Sequence, residues 1–232
     1  MKNVVKKAFV ASLPILTGYI FLGIGFGILL QRSGYGIIWA FAMSVFIFAG
    51  SLQYAAVGLL AGGASFITVA LTTFLVNARH IFYGISLIDK FKNTGKRKPY
   101  LIFGLTDETY ALLVKDNSDI EKDKLPTYYF LVTLFDHSYW ITGCVLGAFI
   151  GSILPFDTEG IDFVLTALFI TIVTDQWLKT KNHIPCIIGA VASVLALVIF
   201  GSENFLIPAM ILIATSLLIM GKIKTWEVPD EQ

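Results

Sequence analysis

Residues 64–88 read ASFITVALTTFLVNARHIFYGISLI, an apolar run with a cation inside it. The run is long enough to cross a lipid bilayer as a helix, yet Arg79 lies near its middle. A permanent cation at the centre of a bilayer costs at least ~2.5 kcal/mol, so it persists only where it faces protein or a water-filled cavity. Arg79 is therefore a candidate functional residue inside a membrane protein.

The composition of the whole chain agrees with a location in the lipid bilayer. Its 232 residues are 56% hydrophobic and 14% charged, and the mean hydropathy is +0.77, which is more apolar surface than a soluble domain buries. The net charge of +1 and the placement of lysines between apolar runs exclude nucleic acid as a partner. The two cysteines and three histidines lack metal-ligand spacing, so we expect no metal and no cofactor.

Apolar runs of spanning length predict an all-α, polytopic helix bundle of about seven membrane spans (six to eight) in a single domain over residues 1–232. The runs are residues 8–30, 37–61, 64–88, 127–154, 161–178, 184–200 and 205–220. A shorter segment, residues 100–114, is either a tilted short span or a re-entrant element that lines a cavity. A faint likeness between residues 41–53 and 163–176 is compatible with an internal repeat or with chance.

Basic residues orient the chain, because short cytoplasmic loops carry an excess of Lys and Arg. They place the loop 89–99 and the polar loop 115–126 in the cytoplasm, and Lys2, Lys6 and Lys7 suggest a cytoplasmic amino terminus. Three full spans between that terminus and the loop 89–99 would place the loop outside, which contradicts its cytoplasmic assignment. Either one early segment is broken and re-entrant, with residues 49–51 as its weakest helical point, or the amino-terminal tail is exported.

Polar residues of the run 64–88 fall on one sector of a helix. Asn77 and His80 form one stripe, and Arg79 and Tyr83 lie on the adjoining stripe. A lipid-facing helix would not carry this strip, so we expect it to face the bundle interior. Asn77 and His80 are either residues of a transport pathway or groups that bind a neighbouring helix by hydrogen bonds.

Acidic residues near the predicted helices outnumber the single deep cation. Asp107 and Glu108 diverge by about 100° on a helix, so one of them is expected to pair with Arg79; the alternative is a short element at the cytoplasmic surface. Asp136 and His137 are either a second buried pair or part of an interfacial belt. A buried carboxyl group without a cation can take up a proton, so the coupling candidates are Asp107, Glu108, Asp136 and His137.

Small and polar residues earlier in the chain complete the set of pathway candidates. Gly23, Gly25 and Gly27 allow either close helix packing or local unwinding that frees amides for a ligand carboxylate. Gln53 is an interior hydrogen-bonding group or a pathway residue, and Ser51 lies at the expected helix break.

A series of motifs follows in order along the first half of the chain: Pro14, Gly18 and Gly23; Phe26-Gly27; Ser44, Phe48-Ala49-Gly50 and Gln53; Asn77-x-Arg79-His80; and Asp107-Glu108. In order and spacing they resemble the AzlC-type family, the larger membrane subunit of bacterial branched-chain amino-acid exporters. The resemblance implies multi-pass insertion in the bacterial plasma membrane and efflux of leucine, isoleucine, valine or similar small neutral amino acids. It also implies a small AzlD-type membrane subunit as partner. The sequence contains no HExxH, Walker-loop or GxSxG motif, so we expect no enzymatic activity.

A mechanism follows as a hypothesis. A zwitterionic amino acid needs an anion-binding group, from Arg79 or from unwound backbone at residues 23–27, and an acceptor for its ammonium, from Glu108 or Asp107. We expect coupling to an ion gradient. A passive channel and a non-catalytic assembly subunit remain the alternatives.

Overall fold

The computed structural model describes residues 2–115, 117, 120–153, 170, 173–174, 177–178 and 182–223. All regular elements in these ranges are helical, which confirms the all-α prediction. The chain divides into two compact units, the first comprising residues 1–69 and 76–161 and the second residues 70–75 and 162–232. The single domain expected over residues 1–232 stays a prediction.

The helices of the described residues are α1 (Lys2–Arg32), α2 (Ile37–Phe46), α3 (Gly50–Ala61), α4 (Phe66–Asn77), α5 (Arg79–Ser86), α6 (Ile88–Phe91), α7 (Lys98–Phe103), α8 (Asp107–Leu113), α9 (Leu125–Ile153), α10 (Ile184–Asn204) and α11 (Leu206–Ile223), with a 3-10 turn at Gly95–Arg97. Among them, three helical stretches are long and apolar enough to cross a membrane: Asn3–Arg32, Phe66–Ser86 and Ile184–Gly201. Helix α9 has 29 residues but is less apolar.

Helices α1 and α9 pack side by side and run in the same direction. Phe9 meets Phe135 near the start of both helices, and a Cβ atom added to Gly151 would meet Ile28 Cα at 3.2 Å near their ends. Small residues make the close approach possible, because a Cβ atom at Gly27 would overlap the Cys144 carbonyl oxygen.

The same contact decides between the two interpretations of the glycines in α1. The helix is continuous from Lys2 to Arg32, and Gly23 and Gly27 are buried against α9. Gly25 is half-buried in the same helix. Local unwinding at residues 23–27 is therefore wrong, and close packing is the observed role of Gly23 and Gly27.

Helices α2 and α3 form a first hairpin whose tip is residues 47–49. Phe48 has a positive φ of 43°, its ring stacks on His137 at 4.2 Å, and the Ala49 amide donates to the Gln53 side chain. The break was expected at residues 49–51 and begins two residues earlier. The prediction of one span over residues 37–61 is wrong, because arms of 10 and 12 residues reach only about 15–18 Å each.

The first hairpin enters and leaves at the carboxyl-terminal end of α1. Its first arm follows α1 directly, with the Tyr35 amide bonded to the Leu30 carbonyl. Its tip lies at the middle of α1, where Phe48 meets Tyr19. The second arm then returns, because Tyr54 donates to the Leu22 carbonyl at 2.6 Å.

Helices α7 and α8 form a second hairpin with its tip at residues 104–106. It enters at the amino-terminal end of α1 and α9, opposite to the first hairpin. Arg97 binds Thr127 at the start of α9, and at the tip Gly104 leaves space for the Thr133 side chain. Thr106 then caps α8 by accepting the Thr109 amide. Helix α8 runs back and ends beside Lys90 of α6. The Lys90 ammonium group binds three carbonyl oxygens there, those of Leu113, Val114 and Lys115.

These two hairpins resolve the conflict in topology. One buried cluster joins the start of α1 to α6, α7, α8 and the start of α9; it contains Val4, Ala8, Leu87, Phe91, Leu101, Leu105, Leu113, Ile120, Tyr128, Tyr129 and Val132. The amino terminus and the loop 89–99 therefore lie at the same end of the first unit. The structure favours the broken, re-entrant early segment over an exported tail.

In the second unit, α10 and α11 pack against each other, and small residues of both helices are buried: Ala192, Ala196 and Ala209. Gly201, at φ 73°, interrupts α10 near its end. The expected span at residues 161–178 and the second copy of the possible repeat lie outside the described residues, apart from a few isolated positions.

Candidate functional site

The site lies in the first unit, where the two hairpin tips approach Arg79. Its guanidinium Nη1 is 3.0 Å from Asp107 Oδ2, and Nη2 donates to Ser51 Oγ at 3.1 Å. Ser51 belongs to the first turn of α3 and Asp107 to the first turn of α8, so one cation contacts the beginnings of both returning arms. The expectation that one acid of the Asp107–Glu108 pair binds Arg79 is confirmed.

Asp107 uses both of its carboxylate oxygens. Besides the ion pair, its Oδ1 accepts a hydrogen bond from the Tyr83 hydroxyl at 2.7 Å. The Tyr83 ring stacks on Tyr110 at 4.4 Å. Arg79 and Asp107 keep exposed side-chain fractions of 33% and 40%, so the pair remains within reach of a ligand.

The polar sector of α5 is turned towards protein. Arg79, His80 and Tyr83 are half-buried, whereas Ile81 and Phe82 on the other side are exposed. His80 Nδ1 contacts the carbonyl oxygen of Asn77, which lies three residues earlier in the chain. This contact joins the end of α4 to the start of α5, and among the described residues the Asn77 side-chain oxygen accepts no hydrogen bond.

Glu108 points to a different partner from Asp107. Its Oε2 accepts a hydrogen bond from the Tyr19 hydroxyl at 2.7 Å. Tyr19 also contacts the Thr106 hydroxyl at 2.5 Å. The alternative of a short element with both acids in water is therefore wrong for the Asp107–Glu108 pair, although Glu108 itself is exposed.

Asp136 and His137 are buried, with exposures of 0% and 7%, so the interfacial belt is the wrong alternative for them. Asp136 Oδ2 accepts a hydrogen bond from Thr109 at 2.8 Å. The His137 ring contacts the Ser44 carbonyl through Nε2 and the Tyr100 hydroxyl through Nδ1. His137 thus joins α9 to one arm of each hairpin.

Gln53 is also fully buried. Its Oε1 accepts hydrogen bonds from the Trp140 indole at 2.9 Å and from the Ala49 amide at 3.3 Å. This confirms the expectation of an interior hydrogen-bonding group. It fixes the tip of the first hairpin against α9.

Comparisons with known proteins show the family to which the chain belongs. The model of the AzlC protein family matches residues 14–154. A branched-chain amino acid transport protein, AzlC of Bacillus subtilis, is 43% identical over 217 residues, which cover 94% of this chain and 85% of that protein. The chain belongs to the AzlC family.

Other relatives of this AzlC-family chain are named by location only. An uncharacterized membrane protein of Helicobacter pylori strain 26695 is 42% identical and covers 94% of this chain and 95% of its own length. The inner membrane protein YgaZ of Escherichia coli is 32% identical, and the match covers 87% of this chain and 82% of that protein. No solved structure matches the chain.

Family membership confirms the resemblance seen in the motifs of the first half. The chain is a multi-pass protein of the inner membrane with a role in membrane transport, and it is not an enzyme. The family match covers both hairpins, Arg79 and the whole of α9.

Three residues of the AzlC-family site escaped the sequence reasoning: Tyr19, Thr106 and Thr109. The pattern Thr106-Asp107-Glu108-Thr109 is a helix-start signal, since threonine is a favoured N-cap residue and acids favour the first turn. It would have predicted the start of α8. Tyr19 lies in an apolar run without any local signal of its role.

Proposed function

We propose that this chain is the larger subunit of a secondary transporter that exports leucine, isoleucine, valine or similar small neutral amino acids, driven by an ion gradient. The name of the Bacillus subtilis relative, which assigns that protein branched-chain amino acid transport, supports the substrate class. The outward direction follows from the resemblance to exporters. The observation that carries the proposal is the Arg79–Asp107 ion pair between the two hairpin tips.

An ion pair inside a membrane protein is complementary to a zwitterion. The substrate carboxylate would bind the Arg79 guanidinium, whose parallel N–H groups suit a carboxylate. The ammonium would bind Asp107, with Glu108 as the neighbouring acceptor. Binding exchanges one ion pair for two, so the charges of the substrate stay compensated away from water.

The surroundings of the pair suit an amino acid with an apolar side chain. The stacked rings of Tyr83 and Tyr110 lie beside Asp107, and they offer apolar faces next to the ionic groups. A substrate ammonium would compete with Arg79 for Asp107, and the substrate carboxylate would use the buried Arg79 Nε, which donates to no group among the described residues. Loss of the Arg79–Asp107 bond would release the tip of the second hairpin from Arg79.

We further propose a small AzlD-type membrane subunit as the partner. This rests on the resemblance alone. Vesicles that contain the chain with and without such a subunit would show whether it is required, and transport by the small subunit alone would contradict the assignment of the site to this chain.

Counterflow of labelled leucine in vesicles tests the site. Arg79→Gln should lower counterflow about ten- to a hundredfold, because hydrogen bonds to a charged group contribute about 1.5–3 kcal/mol. Lys92→Gln, which removes an exposed charge from the basic loop, is the matched control and should leave counterflow unchanged.

Normal counterflow by Arg79→Gln would contradict the proposal. A passive channel predicts a different result in the same vesicles: leucine would equilibrate, but an imposed ion gradient would not drive its concentration. Gradient-driven accumulation therefore separates the transporter from the channel.

A further inference from the structure

A buried line of hydroxyl groups connects Glu108 to Asp136. Asp136 Oδ2 is 2.8 Å from the Thr109 hydroxyl, which is 3.1 Å from the Thr106 hydroxyl. The Thr106 hydroxyl is 2.5 Å from the Tyr19 hydroxyl, which is 2.7 Å from Glu108 Oε2. The line therefore consists of four oxygen–oxygen contacts, all within hydrogen-bond distance.

The number of hydrogens does not match the number of contacts when both carboxyl groups are ionised. Thr109, Thr106 and Tyr19 each supply one hydroxyl hydrogen, which makes three hydrogens for four contacts. In one of the four contacts, two oxygen lone pairs would then face each other at hydrogen-bond distance with no hydrogen between them. A single additional proton on either carboxyl group supplies the fourth hydrogen and completes the line.

The backbone permits both directions of this line. Thr106 Oγ1 also accepts the Thr109 amide at 3.3 Å. Its second lone pair and its hydrogen remain for Tyr19 and Thr109, in either order. The hydrogens can therefore point from Asp136 to Glu108 or from Glu108 to Asp136 without a change of side-chain position.

The two ends of the line differ in burial. Glu108 is exposed, whereas Asp136 has an exposure of 0%. Asp136 Oδ1 is buried and accepts no hydrogen bond from the described residues, and no Lys or Arg among them lies within ion-pair distance of it. An unpaired ionised carboxylate in such a place is costly, so a proton is retained more easily at this end.

Among the residues that the structure describes, the titratable groups that face Asp136 come from three elements packed on α9. They are Tyr19 of α1, Glu108 of α8 and Tyr100 of α7. His137 adjoins it in sequence but is directed to Ser44 and Tyr100. Only Glu108 among these facing groups brings a second carboxyl group.

We infer that Glu108 and Asp136 share one proton along the Tyr19–Thr106–Thr109 line, and that this proton is the one exchanged during transport. The coupling role rests on the proposed function, whereas the shared proton does not. Release towards Glu108 is balanced: Asp136 gives its proton to Thr109, Thr109 to Thr106, Thr106 to Tyr19 and Tyr19 to Glu108. Water at the exposed end then accepts one proton each time the hydrogens of the line reverse their direction.

Infrared difference spectroscopy on the reconstituted chain tests the shared proton without substrate. At neutral pH we expect the carbonyl stretch of one protonated carboxyl group, which shifts in heavy water. Asp136→Asn should remove this band. Tyr19→Phe, which deletes two of the four contacts, should move the pH midpoint of the band by at least one unit, while Tyr139→Phe on the same helix as Asp136 should not.

Absence of the band in the unmodified protein, its persistence in Asp136→Asn, or an unchanged midpoint in Tyr19→Phe would each overturn the shared proton. The coupling role is tested in vesicles, where Asp136→Asn should lose gradient-driven accumulation at least tenfold and retain leucine counterflow. Full retention of gradient-driven accumulation would overturn that role. If the unmodified protein showed no counterflow, the proposed function would fail, and the infrared band would still decide the shared proton.

Discussion

Gln53 and Trp140 show how single polar residues stabilise an interior within the membrane. The amide oxygen of Gln53 serves two donors at once, one from α9 and one from the tip of the first hairpin. A buried donor that loses its acceptor costs more than the hydrogen bond contributed, because water is not there to replace it. At Arg79, Asp107 and Ser51 accept from Nη1 and Nη2, whereas the buried Nε donates to no group among the described residues.

Gln53→Leu should lower the free energy of unfolding by about 1–3 kcal/mol, because it leaves the Trp140 and Ala49 donors unpaired. The measurement is the thermal midpoint of the detergent-solubilised protein. Trp140→Phe gives a double-mutant cycle: once the indole donor is absent, the further loss caused by Gln53→Leu should be smaller. Strict additivity of the two changes would contradict the role given to this hydrogen bond.

At the scale of elements, the α1–α9 contact organises the first unit. The two helices run in parallel, and glycines on both helices bring their backbones together. Both hairpins then pack on this pair, the first through Tyr54 and Gln53 and the second through Thr109 and Tyr100. Displacement of α1 from α9 would therefore disturb Tyr19 and the hairpin tips together.

Gly27→Ala should destabilise the protein by about 1–3 kcal/mol, because the new Cβ atom would overlap the Cys144 carbonyl and force the helices apart. Gly18→Ala in the same helix is the matched control, since a Cβ atom there meets nothing within 4 Å. It should leave the thermal midpoint unchanged or raise it, because alanine favours the helix. Equal effects of the two substitutions would contradict close packing as the role of Gly27.

At the scale of the molecule, the order of crossings explains the charge distribution. Between α1 and the basic loop 89–99 the chain forms a re-entrant hairpin rather than a second span. The amino-terminal lysines and the basic loop then lie on one side, as the excess of positive charge in cytoplasmic loops requires.

Cysteine labelling with a membrane-impermeant maleimide in intact cells tests this topology, in a background that lacks Cys144 and Cys186. Ser33→Cys and Ala61→Cys, which lie before and after the first hairpin, should both be labelled from outside. Lys96→Cys in the basic loop should react only after the cells are permeabilised. Labelling of positions 33 and 61 from opposite sides would show that residues 37–61 cross the membrane.

The sequence alone established the membrane location and the all-helical class, and it predicted, each beside an alternative, a break in the second apolar run and the pairing of Arg79 with one of two adjacent acids. These follow from hydropathy, local helix propensity and the cost of a charge in lipid, which are properties of short segments. The entry of two hairpins from opposite ends and the contact of Tyr19 with both Glu108 and Thr106 became visible only in the folded chain. Such contacts depend on which distant helices lie side by side. The close fit of α1 on α9 sets which helices are neighbours, and the local sequence pattern of either helix does not predict which helix it packs against.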